Sequence, residues 1–154
     1  MMRVFLMRHG QPVSAIENPE RPLSNQGKND IEKIAEFLHK AGVRIDRALH
    51  SGKTRARQTA AIMASRLNPK VKLQESPDLN PLDDVTRIAD QIKEANKDLL
   101  IAGHMPHLGK LVSLLVIGNQ SAPLINFQQG GLVCLEKDDV DSWSVAWALV
   151  PDIM

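Results

Sequence analysis

The hydrophobic and polar positions of this chain switch repeatedly between two periods. Val4-Phe5-Leu6-Met7 is an unbroken apolar run flanked by Arg3 and Arg8, the pattern of a strand covered on both faces. From Ser24, Ile31, Ile34, Ala35 and Leu38 recur at i, i+3, i+4 and i+7, which predicts a helix ending at Gly42. Arg47 to His50 reads as a second strand. Lys53 to Leu67 reads as a second helix, with Ala56, Ala60, Met63 and Leu67 inward and Asn68-Pro69 as its stop. Val71-Lys72-Leu73 alternates like a short strand, and Pro77 and Pro81 mark an irregular loop. Val85, Ile88, Ala89 and Ile92 predict a third helix, Leu99 to Ala102 another buried strand, and Leu108, Leu111, Val112 and Leu115 a fourth helix closing at Gly118. Gly131–Leu135 and Trp143–Leu149 read as strands joined by the polar turn Asp138-Asp139-Val140-Asp141.

Strands alternating with helices predict an α/β three-layer sandwich. Its central sheet is largely parallel with helices on both faces, and a C-terminal antiparallel hairpin lies at the edge. At 154 residues, with no repeat or linker, the expectation is one domain spanning 1–154.

Composition narrows the function. With 19 basic and 18 acidic residues the net charge is +1, so no broad field favours nucleic acid or an anionic membrane, and any anion site must be local. The apolar opening carries Arg3 and meets Arg8 at once, too short for a signal or a membrane span. The single cysteine, Cys134, excludes an intramolecular disulfide and reads as a buried structural thiol. A cytoplasmic protein is expected.

Three polar clusters follow predicted strands, where open α/β sheets bind ligands. Arg8-His9-Gly10 follows the first; a neutral imidazole can attack phosphorus, a guanidinium can grip two phosphoryl oxygens, and glycine permits close backbone approach. Alone, the triplet also fits a surface arginine beside a turn histidine. Gly103-His104-Met105-Pro106-His107 follows the Leu99–Ala102 strand, and read alone His104 could merely cap or pack. Ser51 to Thr59 passes from strand into helix, and Arg55 and Arg57, two apart, cannot share one face. A solvated basic face is the other reading of that run.

Together these residues resemble the histidine phosphatase superfamily, also called phosphoglycerate mutase-like. The resemblance rests on Arg8-His9-Gly10, Arg21-Pro22-Leu23-Ser24 with Gly27, Ser51 through Arg55-Ala56 with Gln58-Thr59, and Gly103-His104 with Pro106, in that family's order. It implies that His9 is a nucleophile that becomes phosphorylated, that Arg8, Arg55 and His104 surround the phosphoryl group, and that Arg21 lies near the mouth of the pocket. It further implies hydrolysis with no cofactor and no metal; Asp83 and Asp84, or His104 and His107, lack evident partners for an ion.

Within the superfamily the chain resembles the short SixA-type phosphohistidine phosphatases. The segment that carries a proton-donating glutamate in the mutases is short here, and only Asp78, Asp83, Asp84 and His107 stand as candidate acids, with a solvent-facing place on its helix the plainer reading of His107. An alkoxide leaving group has a conjugate acid with a pKa of order 15, whereas imidazole's is about 6.5, a difference of up to about 12 kcal/mol. A phosphohistidine substrate therefore needs no strong acid. The expected partner is a phosphorylated protein, such as a histidine-phosphorylated signalling domain, or a small phosphate ester, with no nucleic acid and no membrane. A monoesterase using one of the aspartates, or a phosphate-binding module without turnover, are the alternatives.

Overall fold

The structure, a computed structural model, describes residues 1–154. Six strands form one sheet: β1 (Met2–Arg8), β2 (Arg47–His50), β3 (Leu73–Glu75), β4 (Leu99–Gly103), β5 (Leu132–Lys137) and β6 (Trp143–Leu149). Their order is β3-β2-β4-β1-β5-β6. β1, β4, β2 and β3 run parallel, whereas β5 is antiparallel to β1 and to β6, so the C-terminal hairpin forms one edge as expected. The helices are α1 (Asn25–Lys40), α2 (Thr54–Leu67), α3 (Thr86–Glu94) and α4 (His107–Ile117).

Successive strand residues point to opposite faces, which explains the unbroken apolar run of β1. Phe5 and Met7 join Ile31, Ile34, Leu38 and Met63 of α1 and α2 on one side. Val4 and Leu6 join Ile88, Ile92, Leu108 and Leu111 of α3 and α4 on the other. Cys134 is buried in the first of these layers, which pushes its thiol up to about 12 and makes it the inert thiol the sequence suggested. No helix is long and apolar enough to cross a membrane.

The helix ends follow local chemistry. The Ser24 hydroxyl accepts the Gly27 N–H at 3.0 Å and caps α1. Gly118 ends α4 with φ of 72°, a left-handed cap. In the turn before β6, the Asp138 carboxylate accepts the N–H groups of Val140 and Ser142.

One strand differs from the pattern. β3 lies at Leu73–Glu75 rather than Val71–Leu73, because Val71 is drawn into a turn by its N–H bond to Asn68 O and pairing begins at Ala48 with Leu73.

Registry then positions the chemistry. Arg8 pairs with Gly103 and His50 with Ala102, so β1, β2 and β4 end at one rim. The next residues, His9, Ser51 and His104, are gathered there.

Candidate active site

His9 is buried, and its Nδ1 lies 2.7 Å from the Gly10 carbonyl oxygen. A carbonyl only accepts, so Nδ1 carries the proton and Nε2 keeps the lone pair. The pKa of His9 is pushed down to about 4, chiefly by burial and further by Arg55, Arg8 and Arg21, against the opposing effect of the Gly10 bond. At neutral pH the ring is uncharged with its tautomer fixed, the form in which an imidazole can attack an electrophile.

His104 lies over it, with ring centroids 5.1 Å apart and planes at 51°. Its Nε2 is 2.6 Å from the Ser51 hydroxyl, and burial, with the neighbouring His9, Arg55, Lys53 and His107, lowers its pKa to about 3. It too is neutral.

Arg8 and Arg55 supply the charge. Arg8 donates through Nη1 to the Phe127 carbonyl at 2.9 Å, which aims its guanidinium. Arg55 occupies the first turn of α2, and the buried Nε atoms of both arginines have no partner. Burial lowers the pKa of each guanidinium, assisted at Arg55 by Arg21. Arg21 itself has φ of 49° and donates through Nε to Val13 O at 3.3 Å. None of Arg8, Arg21 and Arg55 forms an ion pair with a carboxylate. Three guanidiniums around two neutral imidazoles, without a counter-charge, make a site for a polyanion.

Close backbone approach holds this arrangement. A Cβ at Gly27 would stand 2.2 Å from Gln11 O, and one at Gly10 would stand 3.0 Å from the Ile31 side chain, so the start of α1 sits hard against the loop after β1. The Gly10 N–H donates to the Thr59 hydroxyl at 3.1 Å, and that hydroxyl donates to Arg55 O at 2.8 Å. Gln58 Oε1 accepts the Leu23 N–H at 2.7 Å.

A sequence profile of the histidine phosphatase superfamily (branch 1) matches residues 4–83, just over half of the chain. The chain belongs to the histidine phosphatase superfamily. It is a hydrolase of that type, and its likeness to SixA runs nearly end to end. It is 28% identical over 155 residues to the phosphohistidine phosphatase SixA of Escherichia coli (strain K12), covering 97% of this chain and 94% of that protein. The structure of the protein histidine phosphatase SixA complexed with tungstate matches with a TM-score of 0.86 at 28% identity, covering 99% of each chain. A phosphoserine phosphatase from Entamoeba histolytica, in complex with 3-phosphoglyceric acid, shares the fold at 16% identity, with a TM-score of 0.68 over 96% of each chain.

The remaining histidine phosphatase candidates separate. Arg57 is exposed, unlike half-buried Arg55, as their spacing requires. Asp83 accepts the Asn80 N–H at 2.9 Å, and exposed Asp84 accepts both the N–H and the hydroxyl of Thr86. Both carboxylates are occupied in shaping the loop before α3. The Asp78 carboxylate keeps only a 3.9 Å contact with Arg87. His107, which its helix position suggested would face solvent, is wholly buried at 0% exposure. Burial lowers its pKa despite the neighbouring Asp78 and Asp83, and a ring so enclosed cannot touch a substrate. No three His, Cys, Asp or Glu side chains come close enough to share a metal ion.

In the sequence Ser51 and Thr59 stand only as parts of a motif, and nothing local announces their bonds to His104 and Gly10. Phe127 and its carbonyl carried no signal, because a single aromatic in an irregular stretch reads as ordinary packing.

Proposed function

We propose that this protein removes phosphoryl groups from phosphohistidine in a protein partner, through a phosphohistidine formed on its own His9. The observation that carries this reading is the 2.7 Å bond from His9 Nδ1 to Gly10 O, which leaves a neutral Nε2 beside unpaired Arg8 and Arg55. In the first step, with the substrate ring protonated on its other nitrogen, the Nε2 lone pair forms the N–P bond while the substrate's P–N bond breaks, and its electron pair leaves on a neutral substrate imidazole. The proton stays on Nδ1, which continues to donate to the Gly10 carbonyl oxygen. Arg8 and Arg55 neutralise the equatorial oxygens, His104 donates an N–H, and Arg21 guards the mouth. In the second step water attacks phosphorus, His9 recovers its electron pair, and phosphate departs.

Support for a P–N substrate comes from the loop over residues 76–85. Two of its three aspartates are occupied in loop structure, and an imidazole leaving group needs little acid assistance. The likeness to a phosphohistidine phosphatase and to a tungstate-bound SixA points the same way. We read the whole of residues 1–154 as one domain acting in the cytoplasm on a phosphorylated protein. Monoester hydrolysis is the second reading, favoured only by the freer carboxylate of Asp78.

Turnover of a phosphohistidine peptide compared with aryl and alkyl phosphates tests this. The expected result is a kcat/KM for the peptide well above that for the alkyl phosphate. An alkyl ester turned over as well as the peptide, with that activity lost in Asp78→Asn, overturns the reading in favour of a monoesterase.

A further inference from the structure

Beside Arg8 opens a groove of about 430 Å³ that no apolar side chain lines. Four glutamines, Gln11, Gln26, Gln128 and Gln129, form its walls, with Asp30 and Asp152. Of the phosphoryl-site residues, only Arg8 reaches it, so the groove lies to one side of His9.

Its walls are fixed to the reaction centre. Gly130 N–H bonds to the carbonyls of Arg8 and His9 at 3.1 and 3.0 Å, and Gly131 N–H bonds to Gln128 O at 2.9 Å. Gln128 and Gln129 are therefore held at a constant offset from the nucleophile, with both residues exposed. On the facing side, the main-chain carbonyl of Gln11 accepts the Ser24 N–H at 2.9 Å, which joins that wall to the start of α1. Gln26 donates to Asp30 at 2.8 Å along α1.

Uncharged amides both donate and accept, which matches the alternating N–H and C=O groups of an extended peptide and offers nothing to an apolar ligand. The two carboxylates set the charge preference. Neither Asp30 nor Asp152 is ion-paired, and exposed Asp152 stands on the last turn, Pro151–Ile153. They repel an acidic flank and attract a basic one.

We propose that this groove receives the polypeptide next to the phosphorylated residue, with a lysine or arginine of the substrate meeting Asp152. The inference rests on the phosphoprotein reading above and adds to it a sequence preference.

Two phosphohistidine peptides identical except for a lysine or a glutamate at the flanking positions test it, with p-nitrophenyl phosphate as the small substrate. The wild-type protein should favour the lysine peptide by roughly two- to fivefold in kcat/KM, the range of an exposed charge pair. Asp152→Lys should abolish or invert that preference, and the double variant Gln128→Ala, Gln129→Ala should raise KM for both peptides. Neither variant should move p-nitrophenyl phosphate turnover beyond about twofold, since neither touches the phosphoryl group. Peptide turnover with an unchanged lysine preference in Asp152→Lys overturns the groove assignment while leaving the phosphohistidine activity standing. Turnover of p-nitrophenyl phosphate with neither peptide accepted by the wild type overturns the phosphoprotein reading, and the groove assignment with it.

Discussion

Gly10 gives its main-chain N–H to the hydroxyl of Thr59 across 49 residues of sequence, at 3.1 Å. Because the same hydroxyl donates to Arg55 O, one buried side chain fixes the distance between the end of the His9 strand and the first turn of the Arg55 helix. Thr59→Val keeps the shape and removes both bonds, leaving a buried N–H unsatisfied at a cost of about 1–3 kcal/mol. Urea unfolding should register that loss, kcat should fall with it, and Thr59→Ser should restore most of both.

His9→Ala should abolish turnover. Mass spectrometry of reactions quenched without acid should find phosphate on His9, and phosphate on His104 instead would show that the two histidines exchange roles.

Arg55→Ala removes a charged donor from the transition state, comparable to deleting an oxyanion-hole donor, and should lower kcat by roughly 10²–10³. Exposed Arg57→Ala should stay near wild type on an aryl phosphate. Equal losses in the two variants would contradict the placement of α2.

The acid limb of activity should be displaced. Protonated His9 cannot attack, and with its pKa lowered to about 4 the ring remains neutral well below the usual histidine range. After correction for ionisation of the substrate, kcat/KM should hold through pH 5.5 and fall only near pH 4. Stability falls in the same direction but begins to fall at a higher pH. In the unfolded chain both His9 and His104 take up protons near pH 6.5, while in the folded protein they wait until about 4 and about 3. Folding stability from these groups is thus complete above pH 6.5 and declines as pH falls toward 4. Urea midpoints at pH 7.5, 5.5 and 4.5 should show the decline, and His9→Gln should flatten part of it.

Chelators should leave turnover intact, since Arg8 and Arg55 stand where a divalent ion would otherwise neutralise charge. Activity lost in EDTA and restored by one divalent ion would overturn a metal-free mechanism.

Much of this fold was legible because burial is periodic. Ile31, Ile34, Ala35 and Leu38 recur at the helical period and are all within 2% of full burial. β1 and β4 announce themselves as apolar runs because both of their faces are covered. β3 lies two residues beyond its expected place because the edge strand of Leu73, Gln74 and Glu75 buries no side chain, and its position is set by pairing with β2 rather than by hydrophobicity. His107 was misread for a related reason. The first residue of a helix ordinarily meets solvent, but the loop carrying Asp78 and Asp83 folds over it, and no local pattern encodes that cover. At the site, the reactive groups were visible as residue types at strand ends. The bonds that orient them, from Ser51, Thr59 and the Phe127 carbonyl, join segments far apart in sequence and had no local signature.

β1 sits between β4 and β5, so both of its neighbours are made long after it. During synthesis the first apolar strand has no native partner until residue 99 has emerged, and its second partner begins only at residue 132. Such distant pairing slows folding and leaves a sticky segment uncovered on the nascent chain, a natural client for a chaperone. It also couples maturation to chemistry. The Phe127 carbonyl that aims Arg8 lies 119 residues beyond it, and Gly130 ties down the end of β1 from as far away, so the geometry of the site forms only after that distant segment has been made.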